Sequence, residues 1–69
     1  MPNLRELREK KGISQYELAR RLGVDHSSIS MYESGRRRPN YERLAVLAEI
    51  FDLSMAEAHS MFLRKKGRV

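Results

Sequence analysis

Cysteine is absent from the 69 residues, which excludes a disulfide framework and a thiolate zinc site and leaves no sign of an oxidising compartment. A reducing cytoplasm is the expected setting. Long apolar runs are missing too: none approaches the roughly 20 residues that a membrane span needs, and the charged opening from Met1 to Lys11 lacks the pattern of a secretory signal. Neither strand-like alternation nor an internal repeat is present. Histidine is scarce, His26 and His59 being the only two. Neither stands in a paired acid motif, so the plentiful serines have no evident base to activate them, and an enzyme is disfavoured. No metal or phosphate-loop motif appears, and no cofactor is implied.

Basic residues, by contrast, are abundant. Lysine and arginine number 14 against 9 acidic residues, a net charge of +5, which favours a polyanionic partner without choosing among DNA, RNA and anionic lipid. Their placement is more informative. Residues 1–23 carry six basic side chains against three acidic ones, 24–38 three against two, 39–63 one against four, and 64–69 four against none. Positive charge therefore lies in the first half and the tail, and the stretch from Asn40 to Leu63 reads as a support. A single domain over residues 1–63 with a frayed basic tail over 64–69 is expected, its small core supplying only about 3–5 kcal/mol of net stability.

Helical spacing accounts for the whole domain. Leu4 and Leu7, with Arg8 on the same side, mark a short first helix over about 3–11 that ends at Gly12. Ser14 and Glu17 have the spacing of a capping box, and Ile13 can staple onto Leu18, so a second helix follows with Leu18, Ala19 and Leu22 inward and Gly23 as its stop. Val24 and Asp25 repeat that pattern as staple and N-cap of a third helix, which runs to about Ser34 and stops at Gly35. Pro39 prevents its continuation, and Asn40 caps a fourth helix made strongly apolar by Leu44, Leu47, Ala48 and Phe51, with Ala45 and Ile50 beside them. Ser54 and Glu57 form another capping box for a fifth helix carrying Met55, Ala58, Met61 and Phe62. Five short helices on short connections predict an all-α five-helix bundle.

The three-residue corner between helices two and three is the informative feature, because glycine at a tight turn lets two short helices cross steeply and projects the second outward. From Ser14 to Gly35 the chain resembles the Cro/phage-repressor (Xre-like) helix-turn-helix family. Gln15, Leu18, Ala19, Leu22, Gly23, Val24, Ile29, Tyr32, Glu33 and Gly35 stand where its pattern wants them, as does Pro39, and the resemblance covers residues 3 to about 55. It implies a lambda-repressor-like fold and a helix three that enters the major groove of double-stranded DNA. One departure is Ala58, where the family usually has a larger apolar residue. Met55, Met61 or Phe62 must then fill the gap or stay exposed as a dimer contact.

With Ile29 and Tyr32 inward, a turn of about 100° per residue places Ser27, Met31 and Ser34 outward and Ser30 at the flank. That face carries no charge, as suits a surface meeting base edges, where serine donates or accepts and methionine presses on a thymine methyl. The resemblance implies His26, Ser27 and Met31 as the main base contacts, with Ser28 and Ser30 on phosphate or base. We assign base readout to His26, Ser27, Ser30 and Met31. Phosphate contact falls to Gln15 at the start of helix two, Ser28, the loop Arg36-Arg37-Arg38, and Asn40 and Tyr41 beyond it. In repressors that this chain resembles, a pair placed like Arg8 and Glu33 forms a partly buried salt bridge, fixing helix three against helix one.

A transcriptional regulator, and a repressor in particular, follows as the expected function, working as a homodimer on a near-palindromic operator. Two other roles use the same fold: a controller of a restriction-modification system that both activates and represses, and an antitoxin or adaptor that binds a protein. The last would expose an apolar face on helix three, which here is polar.

Overall fold

A computed structural model describes residues 3–63, and the expected fraying of 64–69 falls on residues outside those described. Among the described residues there are five helices and no strand: α1 (Leu4–Lys10), α2 (Gln15–Leu22), α3 (His26–Ser34), α4 (Tyr41–Ile50) and α5 (Met55–Ser60). No helix among them is long and apolar enough to cross a membrane.

Local chemistry sets each boundary. Asn3 opens α1 with a full capping box, its side chain accepting from the Glu6 amide while Glu6 accepts from the Asn3 amide. The spacing of α1 alone did not disclose it. Ser14 caps α2 by accepting from the Glu17 amide, but the expected box is only half formed. Glu17 turns instead to the guanidinium groups of Arg20 and Arg21, at 2.6 and 3.0 Å. Asp25 has the extended backbone of an N-cap, yet its side chain caps no amide; the carboxylate accepts the Ser28 hydroxyl at 3.2 Å. Asn40 and Ser54 cap α4 and α5 as expected, Ser54 with the complete box.

The corner after α2 is a Schellman motif: the Val24 amide donates to the Ala19 carbonyl and the Gly23 amide to that of Arg20. It needs a left-handed residue, and Gly23 supplies one at φ 75°. α4 closes the same way, with Leu53 donating to Ala48 and Asp52 to Glu49. There the left-handed position, at φ 57°, is held by Asp52 instead of glycine.

Leu18, Ala19, Leu22, Ile29, Tyr32, Leu47 and Phe51, with Leu4, form the main core. Leu44, Ala48 and Ala58 form a smaller one between α4 and α5. Leu53 and Phe62 pack against both, and the Phe62 ring meets Tyr32 edge-on at 6.4 Å. Met55 packs against the smaller core as well, so Met55 and Phe62 both close the cluster around the small Ala58. α2 packs mainly on α3 and α4 on α5, with α1 against α3. One long face of α3 is left outside the bundle.

Candidate nucleic-acid interface

Ile29 is fully buried and Tyr32 nearly so, which turns the opposite face of α3 to solvent. His26, Ser27, Ser30 and Ser34 are exposed, and Met31 is half-buried. No charged side chain interrupts this face. The neighbouring acid, Glu33, is turned away and neutralised: Arg8 Nε donates to Glu33 Oε2 at 2.6 Å, with the two side chains 11% and 9% exposed. The same guanidinium donates to the Ile13 carbonyl at 2.9 Å, so Arg8 ties the loop before α2, and α1 itself, to α3.

Gln15 joins this cluster. Its amide nitrogen donates to Glu33 Oε1 at 3.0 Å, which leaves one amide N–H for another acceptor. With Ser14, Tyr16, Ser30, Ser34, Arg5 and Arg8 it lines an open groove of about 620 Å³ between α1, α2 and α3.

Beyond α3 the chain is tightly held before it becomes basic. The Met31 carbonyl accepts the Ser34 hydroxyl at 3.2 Å, the Arg36 amide at 3.0 Å and the Arg37 amide at 3.3 Å. Arg36, Arg37 and Arg38 are all exposed, and none forms a salt bridge among the described residues, so their charge is uncommitted. Asn40 spends its carbonyl oxygen on the Arg43 amide, and Tyr41 stands 74% exposed beside it.

Two residues add to the sequence reading. Ser28 is only 8% exposed and its hydroxyl donates to Asp25 at 3.2 Å, so it also supports the start of α3. Tyr16, passed over in the sequence, is 68% exposed and stacks on His26 with ring centroids 4.3 Å apart and planes 24° from parallel. An exposed aromatic one residue after the expected phosphate contact was the available signal.

A short helix held clear of the body, uncharged on its free face and bordered by unpaired cations, has the geometry of a groove reader. The helix-turn-helix family model matches residues 4–57. The chain belongs to the helix-turn-helix family. It is of the Cro/phage-repressor type, a class of DNA-binding transcriptional regulators. It is 46% identical over 57 residues to the HTH-type transcriptional regulator AnsR of Bacillus subtilis, an alignment covering 83% of this chain and 49% of AnsR. With the HTH-type transcriptional activator BcrR of Enterococcus faecalis it shares 37% identity over 54 residues, 78% of this chain and 26% of BcrR. With the HTH-type transcriptional regulator PuuR of Escherichia coli it shares 35% over 57 residues, 83% of this chain and 31% of PuuR. The chain thus spans about half or less of the length of these relatives. No solved structure matches it.

Proposed function

We propose that the chain binds double-stranded DNA sequence-specifically and represses transcription as a homodimer on a near-palindromic operator in the cytoplasm. The observation that carries this reading is the exposed, uncharged face of α3 with the unpaired Arg36, Arg37 and Arg38 directly after it. α3 lies in the major groove, where His26, Ser27, Ser30 and Met31 meet base edges. Gln15, through its remaining amide N–H, and the arginines, Asn40 and Tyr41 hold phosphates and set the register. Two such helices about 34 Å apart meet successive major grooves.

Selection of binding sites from random duplexes, with the mass of the resulting complex, tests the reading. An enriched two-fold-related motif bound by two chains is expected; retention of all sequences alike sinks it. Ser27→Ala or Met31→Ala should change the preference at one or two base pairs, whereas Arg36→Ala should weaken binding to every sequence similarly and lower the salt slope by about 1. Activation is the second reading, favoured by the likeness to a relative named as an activator. A reporter whose output rises when the selected site lies upstream of the promoter would establish it.

A further inference from the structure

We infer that Tyr16 is a specificity-setting residue that acts by holding the His26 imidazole in one orientation toward the groove; this rests on α3 reading bases as proposed above. His26 is the first residue of α3 and is exposed. A side chain there, with solvent on its outer side, samples several rotamers, and each wrong one must be abandoned before a ring nitrogen can meet a base. Tyr16 removes that freedom. It stands in the first turn of α2, whose start is fixed by the Ser14 cap and by the bond from Gln15 to Glu33, so the phenol stands on an anchored backbone. Its ring lies on the imidazole at 4.3 Å and 24°, a stacked arrangement.

The stack restricts the histidine without occupying it. Contact is through the ring face, which leaves the ring edge, where both nitrogens lie, directed away from the phenol and open to hydrogen bonding. The edge-on nitrogen then matches a purine acceptor in the major groove, guanine O6 or N7 or adenine N7. Tyr16 is 68% exposed and belongs to neither core cluster, so a role in folding does not account for the contact. Its hydroxyl is not needed for the stack, which separates this role from direct contact between Tyr16 and a phosphate.

The experiment uses the full chain and compares Tyr16→Ala, Tyr16→Phe, His26→Ala and the double variant Tyr16→Ala/His26→Ala, with two readouts. The first is the proton chemical shifts of the His26 ring in the free protein, which feel the ring current of a stacked phenol. They are displaced upfield in wild type and Tyr16→Phe and return to ordinary values in Tyr16→Ala. The second is the base preference at each position of the selected site. Tyr16→Ala lowers the preference at the position that His26→Ala also affects, by about 3- to 10-fold, and leaves the others alone. Tyr16→Phe restores it, and the double variant is no less selective there than His26→Ala. Loss on all sequences alike in both Tyr16 variants would assign the residue to a phosphate and overturn the inference, as would an undisplaced His26 ring in wild type. A displaced ring together with a wild-type protein that selects no sequence would instead remove the DNA-reading proposal itself, and this one with it.

Discussion

At the scale of single residues, the Arg8–Glu33 pair governs how α3 is held. Both side chains are about nine-tenths buried, and Arg8 also serves the Ile13 carbonyl while Glu33 also serves Gln15. Truncating one partner strands the other charge. Glu33→Ala is therefore expected to cost about 3 kcal/mol in urea unfolding, which would leave so small a domain close to its midpoint at room temperature. A double-mutant cycle with Arg8→Met should return a coupling of at least about 1 kcal/mol. Glu17 offers a milder case. Hydrogen bonds from Arg20, first, and from Arg21 hold its carboxyl below the ordinary carboxylate range. A carboxylate with a lowered folded-state pKa stabilises the fold above its unfolded pKa, and that contribution is lost as pH falls through the folded value. Glu17→Gln should thus melt below wild type at pH 7, and the gap should narrow as the pH falls below the ordinary carboxylate range, measured as Tm by circular dichroism. Which residues would pair was legible where the family pattern names them, as for Arg8 and Glu33. It was not legible for Tyr16 and His26, ten positions apart on two helices, because the steep α2–α3 crossing brings their rings together.

At the scale of elements, the helix ends were the most readable part of the chain, since a cap and its stop lie within a few residues of each other. Ser14, Asn40, Ser54 and Gly23 act as their residue types dictate. The failures were also local, and each came from competition: Glu17 had two arginines within reach, and Asp25 had a serine hydroxyl. The corners make opposite predictions. At Gly23 an added Cβ would meet open space, so the loss on Gly23→Ala is purely conformational, about 1–2 kcal/mol. Asp52 already bears a conformation suited to glycine, at φ 57°. Asp52→Gly should raise stability by about 0.5 kcal/mol, the relief exceeding the entropy that glycine loses on folding. Thermal unfolding of both variants would check the signs.

At the scale of the whole molecule, the bundle holds a positively charged loop and a neutral helix face on one side, while the acidic stretch 39–63, with one basic side chain against four acidic ones, supplies α4 and α5 to the core. The division was visible in the charge distribution before any folding was considered. How the second core closes was not, because the sequence allowed Met55, Met61 and Phe62 equally. Met55 and Phe62 both pack against the α4–α5 cluster, and Phe62 also meets Tyr32. Phe62→Ala should therefore cost about 2 kcal/mol in urea while leaving the sedimenting mass unchanged at concentrations where the protein stays folded; a fall in mass without loss of stability would make Phe62 a dimer contact instead. The Met31 carbonyl has its own consequence. By accepting both the Arg36 and the Arg37 amides, it ties the proposed reading helix and the proposed phosphate-holding loop into one rigid unit. A single residue inserted between Gly35 and Arg36 would keep every side chain and still offset the arginines from α3, so the proposed phosphate contacts should weaken on every sequence.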